Sequence, residues 1–440
     1  MAGTSIRRWS VVLVVLAMLA TACTSSRGDK SAKTTNSSTA SSASTALGQG
    51  VTDDAVKIGF SYIDLETLAR SGVIKIDHGP YEQIITALVN DVNAHGGVNG
   101  RRLELVTAKY SPIGNTDQLA ACTKLTEDDK VFAVLNGLLA NNNLCIVQQH
   151  STILIGGTFN DALLAQARAP WATWTARSER AIDALVKALD QNGDLKGHTI
   201  GVYAAQAPYK PLIDVAVKAL KDAGYKVADT ALMDAPDTDQ QAATAQDKVI
   251  AQRFASKNID TVIDVGLFIP GADFDAAGYH PRLYSSDVGN IAAAVYTNPL
   301  GKFPVVGGLA APGATLSDPA MQHCVQVWQQ ATGKDIVSPQ QEDLQGKSSG
   351  FVAMQFACTS LKIFTEAASA AGKNLNNDTF KKGLQSIGNI DLPTAPHASF
   401  APGKYDGQDQ FQLQKLDPTW KQGTGRNQFI DVGSPVTLTK

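Results

Sequence analysis

The segment Gly346-Lys347-Ser348-Ser349-Gly350 matches the G-x-S-x-G pattern of a nucleophilic serine. In hydrolases with this pattern the serine stands on a sharp turn between a buried strand and a helix. A helix-like segment follows the motif here, but the preceding residues 340–345 (QQEDLQ) are polar and poor in strand formers. The motif therefore does not predict a catalytic serine, and we do not expect an enzyme. A hydrolase remains the less favoured alternative, because a catalytic pair of carboxylates needs no sequence motif.

Metal and nucleotide sites have no local support either. The seven histidines are scattered, and the chain contains no H-E-x-x-H, C-x-x-C, G-x-x-x-x-G-K-[ST] or G-x-G-x-x-G motif, so neither a metal nor a cofactor is expected. The formal net charge is −3, and without Arg7 and Arg8 it is −5, with 36 basic and 41 acidic residues. This balance gives no electrostatic footprint for nucleic acid.

The first residues have the features of an export signal. Arg7 and Arg8 precede an apolar run at 11–20, which is shorter than the ~20 residues that a membrane-spanning helix needs. The run leads to Cys23 in a sequence that resembles a bacterial lipobox, although Ala20 stands where a Leu is usual. We expect residues 1–22 to be a signal peptide and Cys23 to be lipidated, with an ordinary signal peptide cut nearby as the alternative.

Residues 23–50 are expected to tether the protein. After Cys23 they are mostly Ser, Thr, Ala, Lys, Asn and Gly, which have little apolar surface to bury and so predict disorder. A tether behind a lipidated cysteine predicts an exported protein anchored to the outer face of the cell membrane.

Four cysteines remain after Cys23, and an even number in an exported chain favours disulfides. Three pairings are possible for Cys122, Cys145, Cys324 and Cys358. We prefer Cys122–Cys145 and Cys324–Cys358, because each would join neighbouring elements. Buried free thiols are the alternative.

Strand-like and helix-like segments alternate from residue 51 onward. An apolar strand at 56–60 is followed by a helical pattern that ends at Gly96-Gly97, and a second alternating block begins near residue 181. Two long helical patterns follow at 319–331 and 351–371. The alternation predicts parallel sheets with helices on both faces, and nearly 400 residues are natural for two domains. Such sheets bind ligands at the carboxyl ends of their strands, so we expect a site in a cleft between two sheets.

Three segments in order carry a resemblance to a known family. VTDDAVKIGF (51–60), NDVNAHGGVNGRRLELV (90–106) and CTKLTEDDKVFAVLNG (122–137) resemble the leucine/isoleucine/valine-binding proteins, which are type I periplasmic binding proteins. The resemblance implies two Rossmann-like α/β lobes with parallel sheets, joined by a three-strand hinge. It places lobe 1 at 51–174 plus 311–398 and lobe 2 at 175–310 plus 399–440.

The resemblance also implies a function. Members of this family close two lobes on a small ligand, such as an amino acid, and deliver it to the permease of an ABC importer. Gram-positive members are tethered lipoproteins, which fits Cys23. We therefore expect a monomer that binds a small amino acid-like molecule and performs no chemistry. A ligand sensor on the same fold is the alternative, and the neighbouring genes would separate the two.

Ligand-binding residues of lobe 1 follow from the same resemblance. Asn141 and Asn142 stand where family members usually carry a Ser/Thr run that binds the ligand carboxylate at a helix N-terminus. Thr158 falls in the second ligand-contacting loop. The alternative for both loops is a simple capping or turn cluster.

Lobe 2 is expected to supply three further residues. Tyr209 corresponds to a tyrosine that closes over the ligand, and Asp287 to an acidic residue that pairs with its ammonium group. Phe268 would wall the pocket, together with Trp171 and Trp174. The alternatives are a solvated or capping role for Asp287 and core packing for the aromatic residues.

Overall fold

The computed structural model describes residues 46–70, 77–112, 114–236, 239–266, 269–291, 300–313, 315–417 and 428–439. The predicted signal peptide, the predicted lipidation site Cys23, most of the predicted tether and Phe268 lie outside these residues. Within the described part of the chain, no helix is both long enough and apolar enough to cross a membrane.

Five parallel strands form the first sheet. They are β1 (Ala55–Ile63), β2 (Arg102–Tyr110), β3 (Ala133–Asn136), β4 (Ile153–Gly156) and β5 (Trp171–Ala172). Their order across the sheet is β2-β1-β3-β4-β5. Val56, Ile58 and Phe60 of β1 are fully buried, as expected for a central strand of a parallel sheet that helices cover on both faces.

Seven strands form the second sheet. Two further strands form a separate hairpin, which comes before the last two strands of that sheet in the sequence. The strands are β6 (Ile200–Ala205), β7 (Val227–Met233), β8 (Thr261–Asp264), β9 (Arg282–Ser285), β10 (Val306–Ala310), the hairpin β11 (Gly388–Leu392) and β12 (Ala395–Phe400), β13 (Gln410–Asp417) and β14 (Gln428–Thr437). The order of the sheet is β14-β13-β10-β9-β8-β6-β7. Strands β6 to β10 are parallel to one another. Strand β13 runs antiparallel to both of its neighbours, β10 and β14.

The helices connect the strands and cover the sheets. They are α1 (Leu65–Arg70), α2 (Tyr81–Ala94), α3 (Thr116–Thr123), α4 (Asp161–Leu164), α5 (Ser178–Gln191), α6 (Lys210–Asp222), α7 (Gln240–Ser256), α8 (Gly271–Ala276), α9 (Pro319–Thr332), α10 (Pro339–Gln345), α11 (Phe351–Ala371) and α12 (Asn377–Ser386). Helix α2 buries the apolar face that its sequence spacing predicts, including Ile84, Ile85 and Leu88. It ends before Gly97, whose φ of +66° suits glycine.

Each sheet has its own hydrophobic core. Helices α9, α11 and α12 pack with α2 against the first sheet, and the ring of Phe132 lies 6.4 Å from that of Phe364 and 5.9 Å from that of Phe380. The second sheet carries α5 and α6 on one face and α7 and α8 on the other. The chain thus returns to the first sheet after β10 and to the second after β12. The boundaries at 174, 310 and 398 remain predictions.

The chain passes from one sheet to the other three times, and we call these crossing segments passages. The first and the last passage run side by side. Thr173, directly after β5, donates its N–H to the carbonyl oxygen of Tyr405 over 3.0 Å, and its own carbonyl accepts the N–H of Gly407 at 2.8 Å. These hydrogen bonds couple the first passage to the last one.

Both preferred cysteine pairs lie at bonding distance. Cys122 of α3 pairs with Cys145, with Cα atoms 6.3 Å apart, and Cys324 of α9 pairs with Cys358 of α11, with Cα atoms 6.2 Å apart. Each pair therefore joins neighbouring elements within the first lobe, in the usual Cα distance range for a disulfide.

The first described residues are fastened to the loop between α11 and α12. Gly48 donates its N–H to the carbonyl oxygen of Leu375 over 2.8 Å, and the side-chain amide of Asn376 donates to the carbonyl oxygen of Ala46 over 3.0 Å. This segment lies just before β1, at the amino ends of the parallel strands.

Candidate functional site

Two loops extend from the carboxyl edge of the first sheet and touch each other. One follows β3 and the other follows β4, and the N–H of Gly157 in the second donates to the carbonyl oxygen of Asn136 in the first over 3.2 Å. The contact requires a glycine at 156, where φ is +130° and a Cβ would lie 2.5 Å from the same oxygen. The structure therefore brings together the two loops that carry Asn141 and Thr158.

The three asparagines of the first loop have different environments. Asn143 is fully buried and braces the loop, since its side chain accepts the N–H of Leu138 and donates to the carbonyl oxygen of the same residue, each over 2.8 Å. Asn142 is half-buried and donates to Oδ1 of Asn115 over 3.1 Å. Asn141 is exposed. Of this run, Asn141 is the residue best placed to offer its amide to a ligand.

Thr158 is left on the solvent side of the second loop. Its neighbour Phe159 is buried, with its ring 5.1 Å from that of Trp171. Asn160 then caps α4 by accepting the N–H of Leu163 over 2.8 Å. These two neighbours fix the loop, and the hydroxyl of Thr158 is exposed.

Tyr209 stands at the carboxyl edge of the second sheet. It follows β6 in a single helical turn, Ala207–Tyr209, which begins after Gln206 with a φ of +72°. The ring of Tyr209 is half-buried and packs against the core formed by α5, α6 and the second sheet. Packing against this core holds the ring in place.

Asp287 is exposed in the turn that follows β9. Its Oδ1 accepts the N–H of Gly289 over 2.7 Å, and its own N–H donates to Oγ of Ser285 over 3.3 Å. Desolvation raises the pKa of Asp287, and the N–H of Gly289 opposes this rise. The carboxylate of Asp287 is thus reached by solvent and yet partly desolvated.

The candidate residues thus lie in two pairs, each at the carboxyl edge of its own sheet. Asn141 and Thr158 belong to the first sheet, and Tyr209 and Asp287 to the second. Asn141, Thr158 and Tyr209 have neutral hydrogen-bonding groups. Asp287 is the one charged residue among these four. This set suits a small polar ligand that carries a cationic group.

A cavity of about 820 Å³ lies at the carboxyl end of β1. The sequence did not indicate it. Tyr62 and Tyr81 stack in its wall with ring centroids 5.5 Å apart, and the hydroxyl of Tyr62 donates to Oε2 of Glu82 over 3.2 Å. Desolvation, followed by the charge of Glu82, raises the pKa of Tyr62 to about 12. Next to Tyr62 in β1, Oγ of Ser61 donates to the carbonyl oxygen of Gly137 at the start of the Asn141 loop over 2.6 Å. The position of Tyr62 at a strand's carboxyl end was the available signal.

The G-x-S-x-G segment leads into helix α11, and the carboxylate of Glu342 caps the start of that helix. Helix α10, not a strand, precedes it. Oε1 of the buried Glu342 accepts the N–H groups of Ser349, Gly350 and Phe351 at 2.6, 3.0 and 3.1 Å, and the hydroxyl of Ser349 at 2.7 Å. The glutamate thus caps α11, and Ser349 serves that cap.

The comparison with protein families decides the class of this chain. The sequence model of the family described as periplasmic binding protein matches residues 56–417. The chain belongs to this family. The expected resemblance and the α/β fold with parallel sheets in two lobes are thereby confirmed.

Solved structures of other periplasmic binding proteins share this fold. An ABC transporter substrate-binding protein from Desulfitobacterium hafniense in complex with Leu is 15% identical, with a TM-score of 0.57, and the match covers 86% of this chain and 100% of that one. A fatty acid ABC transporter substrate-binding protein from Thermomonospora curvata is 16% identical, with a TM-score of 0.58 and coverages of 88% and 93%. A Rhodopseudomonas palustris solute-binding protein in complex with 4-hydroxybenzoate is 14% identical, with a TM-score of 0.60 and coverages of 87% and 97%. Among curated proteins, no significant match is found.

In this periplasmic binding protein, the two tryptophans expected in the pocket wall belong to the core instead. Trp171 is 1% exposed and its indole N–H donates to the carbonyl oxygen of Gly156 over 2.9 Å. Trp174 is also buried, with its ring 5.5 Å from that of Phe356. Burial of both rings excludes them from the pocket wall.

One group of residues has the spacing of a metal site. In the described part of the chain, Cys122, Cys145 and His150 are the one set of three whose ligand atoms lie within 4.8 Å of one another. Both sulfurs belong to a disulfide in the structure, and a disulfide offers no thiolate to a metal. The arrangement is therefore explained without an ion.

Proposed function

We propose that this periplasmic binding protein captures an amino acid or a related small zwitterion outside the cell and delivers it to the permease of an ABC importer. Two lobes would close on the ligand, with neutral donors from the first lobe on its carboxylate and Asp287 of the second lobe on its ammonium. No chemical step is involved, so the ligand would leave unchanged.

The observation that carries the proposal is the exposed carboxylate of Asp287 among neutral candidate residues. The ligands of the three solved neighbours are Leu, a fatty acid and 4-hydroxybenzoate. All three carry a carboxylate, but only Leu also carries an ammonium. A carboxylate in a partly desolvated site disfavours a purely anionic ligand and favours a cationic group. Asp287 therefore favours the amino-acid class over the two classes of simple acid.

Native mass spectrometry of protein purified without unfolding tests the proposal first, because a co-purified ligand adds its own mass. Thermal unfolding with the twenty L-amino acids, with benzoate and hexanoate as matched carboxylates that lack an ammonium, tests the class. We expect at least one amino acid to raise the unfolding temperature and both simple acids to leave it unchanged. Stabilisation by the simple acids alone would contradict the proposal.

The proposed location rests on Cys23, which lies outside the described residues. We propose that its thiol carries the lipid that anchors the protein to the outer face of the membrane. Cys23→Ser should leave the lobes folded and release the protein from the membrane fraction, whereas Ser25→Ala, two positions away, should not. A Cys23→Ser protein that stays membrane-bound would disprove the anchor.

A further inference from the structure

The turn that carries Asp287 rests on two buried side chains. Asp264 is the last residue of β8, Ser285 is the last residue of β9, and the two are register partners in neighbouring parallel strands. Both are fully buried. Oγ of Ser285 accepts the N–H of Asp287 over 3.3 Å, and Oδ1 of Asp264 accepts the N–H of Gly266 over 3.0 Å. Asp264 thus lies directly beneath the turn.

The second carboxyl oxygen of Asp264 completes the connection. Oδ2 is buried and has no partner at full hydrogen-bond geometry within the described residues. The hydroxyl of Ser285, the register partner of Asp264, lowers the pKa of this carboxyl and so opposes the effect of burial. A serine hydroxyl can donate one hydrogen bond while it accepts another. Ser285 can therefore bond Asp264 while it holds the backbone of Asp287.

The charged groups that face Asp264 are acidic. Burial raises the pKa of Asp264 well above its ordinary value, and the carboxyl of Asp247 on α7 raises it further. Asp247 itself accepts the hydroxyl of Tyr203 on β6 over 2.9 Å and faces Asp273 on α8. None of these groups is a cation, so Asp264 is favoured as a neutral carboxylic acid. A neutral acid can accept from Gly266 with Oδ1, and Oδ2 can share a hydrogen bond with the Ser285 hydroxyl, because either of these two groups can donate.

The far end of the turn is fastened to the same place. The side-chain amide of Asn290 donates to the carbonyl oxygen of Gly266 over 3.2 Å. Gly308 of β10 lies beneath the turn, and a Cβ there would come within 3.0 Å of the carbonyl oxygen of Ser285 and 3.1 Å of Cα of Val288. The turn is thus seated on β10 and is tied through Asn290 to the end of β8.

We propose that Asp264 is a positioning residue, which sets the direction of the Asp287 carboxylate through Ser285 without touching the ligand. The functional consequence rests on the proposed role of Asp287 in ligand binding. The positioning itself can be measured in the ligand-free protein.

Hydrogen–deuterium exchange at the amides of Asp287 and Gly289, in the full chain without ligand, tests the proposal. We expect Asp264→Ala and Ser285→Ala to accelerate exchange at least about tenfold, since each removes a hydrogen bond, and Asp264→Asn to stay within about twofold of wild type. The asparagine keeps both an acceptor and a donor. Asp247→Asn, in the same buried group but without a link to the turn, is the matched control.

Two results would overturn the proposal: unchanged exchange in Ser285→Ala, or exchange in Asp264→Asn as fast as in Asp264→Ala. If Asp264→Ala does not fold, Ser285→Ala and Asp264→Asn still decide. A failure of the proposed function would give a different result from a failure of the positioning proposal. Asp287→Asn would then leave amino-acid binding unchanged, while the exchange pattern of the Asp264 and Ser285 variants would still appear.

Discussion

Arg180 and Asp406 form an ion pair in which each side chain is only 3% exposed, although they are 226 residues apart in the chain. The same guanidinium binds Oδ1 of Asp409 and the carbonyl oxygen of Gln408, at 3.0 and 2.8 Å, and also the carbonyl oxygen of Leu438. Arg180 lies at the start of α5, just after the first passage between the sheets, and Asp406 lies in the last passage. The buried guanidinium of Arg180 therefore joins two of the passages that connect the lobes.

Removal of Arg180 should destabilise the whole chain. Arg180→Ala leaves the buried carboxylate of Asp406 without its ion-pair partner, although Lys404 still pairs with Asp409 at 3.2 Å, and should lower the free energy of unfolding by about 3–5 kcal/mol. The matched control is Arg177→Ala, because Arg177 pairs with Asp161 at 3.2 Å with side chains 32% and 60% exposed, where such a pair contributes about 0–1 kcal/mol. Urea denaturation measures both. Equal costs for the two variants would contradict a special role for the buried pair.

Loss of the Asp287 charge should weaken binding of an amino-acid ligand. Asp287→Asn leaves a desolvated ammonium unpaired, which costs roughly 2–5 kcal/mol, or about thirty- to several-thousand-fold in affinity. Tyr209→Phe should cost about 0.5–1.5 kcal/mol, as expected for one neutral hydrogen bond. Calorimetric titration with the amino acid found by the thermal screen measures both changes. Asp222→Asn on the exposed face of α6 is the control, and unchanged affinity in Asp287→Asn would rule out the ammonium contact.

Stability should fall as the pH rises toward neutrality because of Asp247. Desolvation, together with the neighbouring Asp273, raises the pKa of Asp247 from 3.8 to about 7, against the opposing hydrogen bond from Tyr203. A raised pKa in the folded state stabilises it fully below the unfolded pKa, and this contribution is lost as the pH rises through 7. The loss is at most about 4 kcal/mol, since one pKa unit corresponds to about 1.4 kcal/mol.

Asp247→Asn should flatten this pH dependence between about pH 4 and 7, because asparagine does not ionise and still accepts from the Tyr203 hydroxyl. Urea denaturation at pH 5 and pH 8 measures the difference, with Asp222→Asn again as the control. A variant that loses as much stability as wild type over this range would assign the effect to another group.

The two cysteine pairs give a chemical prediction. Peptide mapping of freshly secreted protein without reduction should link Cys122 to Cys145 and Cys324 to Cys358. Loops of 23 and 34 residues predict that each bond stabilises the fold by about 3 kcal/mol, which replacement of one pair by serines would measure. Free thiols at all four positions would disprove the pairing.

The cap of α11 should depend on shape more than on charge. Three backbone N–H groups and the hydroxyls of Ser348 and Ser349 all donate to a single oxygen of Glu342, which glutamine can keep as its amide carbonyl. Glu342→Gln should therefore cost less than Glu342→Ala, which leaves buried N–H groups unpaired at about 1–3 kcal/mol each. Thermal unfolding compares the two variants. Equal losses would mean that the negative charge itself is required at this helix start.

Local patterns predicted most of the fold. The strand at 56–60 is the middle of β1, and the helical pattern at 351–371 coincides with α11. Such elements are visible because apolar residues repeat with the period of the structure that buries them. The strands β13 and β14 were hidden in a polar stretch, because their antiparallel pairing depends on which strands become neighbours in the sheet.

The candidate site could be predicted only in part for the same reason. A turn residue such as Asp287 can be placed by its strand, but its support by Asp264 and Ser285 depends on which strands become neighbours. The pairing of Arg180 with Asp406 likewise depends on the path of the chain between lobes. No spacing in the sequence encodes either contact.

The fastening of residues 46–48 to Leu375 and Asn376 has a practical consequence for binding measurements. These residues lie at the amino ends of the strands, whereas the candidate loops lie at the carboxyl ends. A protein coupled to a sensor chip through this end would present its ligand loops to the flowing solution. A fluorescent dye attached there would lie at the opposite edge of the first sheet from the candidate loops, so its signal would report on that edge rather than on ligand occupancy.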